Sequence, residues 1–355
     1  MAQSPEPVVL SFAQTGDPQE FRLDLSAVVQ IGTDLWLGTD EGTRLARLRP
    51  DGQGGYGDVS WYPLAELLDL PGGDAEIDVE GLAEEDEALW LVGSHSPRRQ
   101  DADSEESEQD QLRGLGRVKR SGNRYTLARL PLAREAGSAG LVPARGARLA
   151  GGRRRNLLTD ALRNDKHLGR FLRIPGKDNG FNVEGLAAAG GHLFVGLRGP
   201  VLEGWAVILV IAPEPDPDDD ELLRLGRVGS GKRTYSKVFL DIQGLGIRDL
   251  HFDGTDLLIL AGPTMKLRSD AVVVRWRDAA RAGEDMLVSR DRLEHVLDLP
   301  YGSGGTESVD HPEGIALLGE GRDRSLLVVY DSPNQGRRHG SSGIMADQFR
   351  LLHGM

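Results

Sequence analysis

Short apolar runs recur along the chain, each entered through a polar turn. They read Leu35-Trp36-Leu37-Gly38, Leu89-Trp90-Leu91-Val92-Gly93, Leu193-Phe194-Val195-Gly196, Leu257-Leu258-Ile259-Leu260-Ala261 and Leu326-Leu327-Val328-Val329-Tyr330. Runs this short, bounded by Gly-Thr-Asp, Gly-Gly-His or Asp-Gly-Thr-Asp, predict the second strands of β-hairpins. Upstream of each lies a repeated segment. Asp78-Val79-Glu80-Gly81-Leu82-Ala83 returns as Asn182-Val183-Glu184-Gly185-Leu186-Ala187 and as His311-Pro312-Glu313-Gly314-Ile315-Ala316. Gly246-Ile247-Arg248-Asp249-Leu250 and Asp24-Leu25-Ser26-Ala27-Val28 are degenerate copies.

A third strand is predicted in each unit, at Thr43 to Arg49, Leu115 to Lys119, Ala206 to Ile211, Ala271 to Trp276 and Asp347 to Leu352. Fourth strands are predicted at Ser60 to Pro63, Arg124 to Leu130, Ser236 to Leu240 and Leu293 to Leu297. The last unit lacks a fourth strand, and Val8-Val9-Leu10-Ser11-Phe12 is placed there. Pairing the two chain ends closes a ring and removes exposed strand edges. The expectation is an all-β β-propeller of five blades, with six as the alternative, in one domain over residues 1–355. The wide gap between the copies at Glu80 and Glu184 is assigned to a helical insertion over residues 145–170. There, Leu157, Leu158, Ala161, Leu162 and Asp165 fall at helical spacing.

Composition narrows the chemistry. The absence of cysteine excludes disulfides, thiolate metal sites and thiol nucleophiles. The formal net charge of −13 argues against nonspecific nucleic-acid binding. Asp101 to Asp110 and Glu214 to Glu221 carry part of that charge and read as solvated loops. The longest apolar stretch, Trp205 to Ala212, is far shorter than a membrane helix, so no membrane partner is expected. Met1 to Leu10 has no secretory-leader pattern, and a cytoplasmic protein is the expectation.

Candidate chemistry lies where the repeats converge. Like positions in a rotational repeat lie at like depth, so Glu80, Glu184, Glu313 and Arg248 are expected around one axis. Clustered carboxylates need a cation, an arginine or raised pKa values. Three arrangements meet that need: neutralisation by Arg248, a hard cation such as Ca²⁺ on the axis, or glutamates that cap loop amides and never meet. The second-strand ends bring His95, Arg98, Arg198, Thr264 and Asp331 toward one channel mouth. A histidine there suits general-base work, and arginines suit an anionic group. No P-loop, GxSxG elbow, HExxH or EF-hand loop is present.

Val-Glu-Gly-Leu at 79–82 and 183–186, Gly-Leu-Arg-Gly-Pro at 196–200, Gly-Ile-Arg-Asp-Leu at 246–250, Pro-Glu-Gly-Ile at 312–315 and Tyr-Asp-Ser-Pro at 330–333 resemble the bacterial domain-of-unknown-function family 3616. The resemblance runs from about Leu25 to Leu352 and implies a propeller-like protein. The Glu-Gly-Leu/Ile repeat alone is also similar to esterase-like phytases and SdiA-regulated propellers. That similarity implies axial acidic residues that bind calcium, and phosphate esters as substrates. Arg248 departs from a purely acidic ring.

The resulting expectation is a metal-assisted hydrolase acting on an anionic phosphate or carboxylate ester. Glu80, Glu184, Asp249 and Glu313 would hold Ca²⁺ or another divalent cation. His95, Asp331 and Glu184 would do acid–base work, and Arg98, Arg198, Arg248 and Thr264 would bind a small anionic substrate. The alternative is a propeller that binds a ligand or a protein without catalysis.

Overall fold

The computed structural model describes residues 4–12, 21–100, 106–120, 122–134, 140–265, 269–299, 310–319, 321 and 324–351. Residues 101–105 of the acidic run and Leu352 lie outside them. The fold is all-β with few helical turns. The chain begins with β1 (Glu6–Ser11) and then forms an antiparallel sheet of β2 (Leu25–Ile31), β3 (Asp34–Thr39), β4 (Arg44–Pro50) and β5 (Tyr56–Pro63).

The second sheet starts with β6 (Val79–Glu85) and β7 (Ala88–Gly93). A side hairpin of β8 (Arg98–Arg99) and β9 (Val118–Lys119) then leaves the sheet. The chain returns as β10 (Leu127–Arg134) beside β7, followed by the short β11 (Leu141–Pro143) and β12 (Ala147–Leu149). Leu115 to Lys119 is therefore not the third strand of this unit. β10 takes that place, although Arg124 to Leu130 reads as a fourth strand in sequence. The physical reason is burial: Leu127, Ala128 and Leu130 are fully buried, whereas Leu115 and Val118 face solvent.

After the hairpin β13 (Gly151–Gly152) and β14 (Arg155–Asn156), a helix spans Leu157–Leu162. It covers only a short part of the 145–170 stretch expected to be a helical insertion. A reciprocal capping box sets its start: the Asn156 side chain accepts from the Thr159 amide, and the Thr159 hydroxyl accepts from the Asn156 amide. Leu158 and Leu162 pin it to the core.

The third sheet is β15 (Asn182–Ala189), β16 (His192–Leu202), β17 (Trp205–Ile211) and β20 (Tyr235–Asp241). The ribbon of β18 (Pro213–Pro215) and β19 (Leu222–Leu225) reaches back to extend the second sheet through β12. The turn between β15 and β16 is Gly190-Gly191, with φ of 63° and 75°. Both values suit the tight primed turn that matches strand twist.

The fourth sheet is β21 (Gly246–Asp253), β22 (Asp256–Gly262), β23 (Ala271–Trp276) and β25 (Leu293–Leu299), while β24 (Met286–Val288) pairs with β20. The last set is β26 (His311–Leu318), β27 (Ser325–Asp331), β28 (Arg338–His339) and β29 (Gly343–Arg350). β1 pairs antiparallel with β29 from Glu6 opposite Gln348 to Ser11 opposite Gly343. Leu10 also bridges to Tyr56 of β5, so the first and last strand sets share one sheet.

Apolar layers separate the strand sets. Leu35 and Leu37 face the layer shared with β26, β27 and β29, while Trp36 between them faces β6, β7 and β10. Strand side chains alternate faces, so a run apolar at every position is buried on both sides. Similar layers lie between the second and third sets, the third and fourth, and the fourth and last. The innermost strands touch in sequence: β2 on β6, β6 on β15, β15 on β21, β21 on β26 and β26 on β2.

Candidate functional site

The repeated motif position is a register break in every inner strand. Pairing of β2 with β3 slips at Ser26, β6 with β7 at Glu80, β15 with β16 at Glu184, β21 with β22 at Arg248, and β26 with β27 at Glu313. A bulge of this kind leaves one residue unpaired and re-aims its side chain. The residue after it must fit against the next inner strand. A Cβ on Gly81 would lie 2.7 Å from Leu186 Cβ, and one on Gly185 would lie 3.1 Å from Asp249 Cα. The Glu-Gly pair is thus a bulge followed by a close inter-strand approach.

Three of the re-aimed side chains form one charged network. Arg198, near the end of the regular pairing of β16, donates through Nη1 to Glu184 Oε1 at 2.7 Å. Arg248 Nη1 donates to Glu184 Oε2 at 3.1 Å and also pairs with Glu313. Asn182 Nδ2 adds a bond to Glu184 Oε1 at 2.8 Å. The outer edges of both guanidiniums are held by carbonyls: Arg198 Nη2 donates to Met265 O at 2.6 Å, and Arg248 Nη2 to Pro263 O at 3.0 Å. Burial opposes the charge on Arg198, but Glu184 and Glu313 outweigh it and raise its pKa further.

The opposite side of the ring is rich in carboxylates. Asp40, just past β3, has its pKa raised to about 9, first by burial and then by Asp78, Asp331, Asp24 and Glu41. Glu80 is pushed well above the usual carboxylate range by burial, with Asp78, Glu184, Asp40 and Glu313 adding to it. Burial raises Asp78 too, against the pull of Arg124, whose Nη2 lies 2.6 Å away. Burial likewise raises Glu313, against the pull of Arg248. One donor atom each from His311, Glu313 and Asp331 lies within 4.8 Å of the other two. An oxygen-rich set with one imidazole is donor chemistry that a divalent cation accepts, with Glu313 shared between that set and Arg248.

The carboxylates of this set line a cavity of about 570 Å³, and His311 stands behind its wall beside Asp331. Asp40, Glu80, Glu184, Glu313 and Asp331 contribute carboxylates to its wall. Arg98, Arg99 and Lys177 stand at its more exposed side, with Arg98 held by Glu41 at 2.9 Å and Arg99 by Asp178 at 2.6 Å.

The structure brings Glu80, Glu184, Arg198, Glu313, Asp331 and Arg98 to this cavity, with Arg248 directly behind it. It does not bring His95, Asp249 or Thr264 there. His95 is buried, with Nδ1 2.7 Å from Gly93 O and Nε2 2.7 Å from Asn156 Nδ2. Burial lowers its pKa to about 4, so it stays neutral and serves as a structural bracket. Asp249 turns away from the cavity, and its carboxylate accepts the amides of Leu250 and Ile315 at 2.8 Å each. It thereby ties β21 to β26. Thr264 is buried beside Pro263 in the loop that braces the arginines.

Sequence reasoning missed Asp40, Asp78 and His311. Two of them carried a signal. Asp78 and His311 each stand two residues before the motif glutamate, as Asn182 does.

Inner strands that meet in sequence around a polar cavity define a propeller-like protein. The chain belongs to a family described as protein of unknown function (DUF3616), which matches residues 24–347. No curated protein matches the chain by sequence. Among solved structures it is similar to glutaminyl cyclase of Myxococcus xanthus, at 13% identity over 97% of each chain, TM-score 0.42. It is also similar to a PQQ-bound aldose sugar dehydrogenase of Streptomyces coelicolor, at 12% identity over 98% of this chain and 99% of that one, TM-score 0.39. A third is regucalcin of Agrobacterium tumefaciens, titled a calcium-binding protein, at 13% identity over 93% of this chain and 91% of that one, TM-score 0.38.

Proposed function

We propose that the chain is a single five-bladed propeller closed by β1, and that its axial cavity is the active site of a metal-assisted hydrolase acting on an anionic ester. The cyclic contact of the five inner strands supports the blade count, and the pairing of β1 with β29 supports the closure. The observation that carries the functional reading is the polarity of the cavity. Asp40 and Glu80 hold raised pKa values among neighbouring acids, while Arg98, Arg99 and Lys177 stand toward solvent.

His311, Glu313 and Asp331 would hold the cation, with Glu80 and Asp40 across the cavity. Bound there, a divalent cation supplies Lewis-acid polarisation of an ester oxygen. The chain supplies the rest. Lys177, together with the part-exposed Arg98, attracts and orients the anionic group at the mouth. Glu184 is fixed by Arg198 and Arg248, which act as positioning residues because the Nη atoms of both are already engaged. Asp40, its pKa raised to about 9, can hand a proton to a leaving oxygen.

The test is a screen of phosphate and carboxylate esters with Ca²⁺, Mg²⁺ or Mn²⁺. The expected result is turnover that a chelator abolishes and the cation restores. No turnover with any cation contradicts the hydrolase. A ligand-binding propeller without catalysis is the second reading, and it draws on the capture of His95 in a buried bracket.

A further inference from the structure

Charge is distributed unevenly along the chain. Between Gln111 and Lys177 the sequence holds 17 Lys and Arg against 3 Asp and Glu, in a protein of net charge −13. Most of these cations are exposed, Arg113, Arg117, Lys119, Arg120, Arg153 and Arg154 among them. Among the described residues, no carboxylate pairs with Arg117, Lys119 or Arg120.

The same stretch carries the largest share of exposed apolar surface. Leu112 is 63% exposed, Leu115 43% and Val118 43%, and the one other large apolar side chain this open among the described residues is Leu287. Leu112 and Leu115 lie three apart on the helix Glu108–Leu115, hence on one face. The acids Glu108 and Asp110 sit in its first turn, capped by Ser107, away from the basic end. Leu115 also lines the axial cavity. Arg99 donates to Leu115 O, and the Gln100 amide donates to Arg117 O at 3.1 Å, so the segment is fastened at the cavity mouth.

We propose that Leu112 to Arg120 docks this protein on an anionic lipid bilayer, with the cavity mouth turned toward the membrane. Leu112, Leu115 and Val118 enter the headgroup layer, and Arg117, Lys119 and Arg120 meet lipid phosphates. Interleaved apolar and basic side chains are the chemistry of interfacial attachment. A nucleic acid would use the cations but not the leucines, and the segment has no aromatic side chain on which a base could stack. The proposal does not depend on the hydrolase reading, and its readout is binding alone.

The experiment is co-sedimentation with vesicles of equal parts phosphatidylglycerol and phosphatidylcholine, compared with phosphatidylcholine alone. Wild type is expected to bind the first and not the second. Replacing Arg117→Glu, Lys119→Glu and Arg120→Glu together should weaken binding by about a hundredfold. Replacing Leu112→Ser and Val118→Ser should weaken it by about tenfold. Circular dichroism checks that both variants keep the wild-type fold. Failure of wild type to bind phosphatidylglycerol vesicles overturns the proposal. So does binding unaffected by the serine pair, or equally tight binding of a DNA duplex, which would assign the patch to polyanions in general.

Discussion

Arg248 lies between two carboxylates from different strand sets, and Glu184 lies between two guanidiniums. Such a chain of charges is stable because no member is buried without a partner, and removal of one leaves another uncompensated. Asp40 is different, because burial first and the acids around it second raise its pKa to about 9 against a usual 3.8. A folded-state pKa above the unfolded value favours folding fully below the unfolded pKa. That contribution is lost as pH rises through the folded pKa. Asp40→Asn removes the ionisation, so its melting temperature should gain on wild type between about pH 5 and about pH 9. Thermal melts of both proteins across that range check this. A constant difference between the two would place Asp40 in a solvated setting.

At the scale of elements, the bulge and the glycine behind it decide how close the inner strands come. Gly81→Ala would set a Cβ 2.8 Å from the Leu186 backbone nitrogen, where a flexible side chain cannot give way. The expected cost is about 1–3 kcal/mol, read as a lower urea midpoint. Gly152→Ala, with nothing within 4 Å, is the control, and it should stay within about 0.5 kcal/mol of wild type.

The positions of the inner strands were legible in sequence because the Glu-Gly-Leu/Ile segment recurs upstream of an apolar run. The second strands were legible because burial on both faces demands unbroken apolar runs such as Leu89 to Val92. The bulges themselves were not legible, since register is a property of two strands. Nor was the partition of the charges. Arg198 and Glu184 are 14 residues apart and meet only because β15 and β16 pair with a slip. Leu115 to Lys119 misled because a short run with two apolar residues does not show which sheet it joins; Val118–Lys119 is a strand, but it pairs with Arg98–Arg99 outside the sheet.

On the scale of the whole molecule, β1 joins the chain ends. Val8, Leu10 and Phe12 are buried in the layer between β2–β4 and β26–β29. Each contributes about 1.5–3 kcal/mol of apolar burial. Deletion of residues 1–12 should bare the β29 edge as well as this layer, and an open edge recruits other strands. Sedimentation velocity should show concentration-dependent association of the truncated protein. A truncated protein that stays monomeric and melts at the wild-type temperature would rule out closure by β1.

In the proposed function the axial carboxylates hold a divalent cation. Calorimetric titration of Mn²⁺ and of Ca²⁺ into the metal-free protein tests it most directly, with Asp331→Asn as the comparison. Asp331 lies near His311 Nδ1 at 3.5 Å and lines the cavity. Saturable binding of one ion by wild type and clear weakening in the variant are expected. Absence of binding by wild type, or identical isotherms for the two proteins, would contradict it.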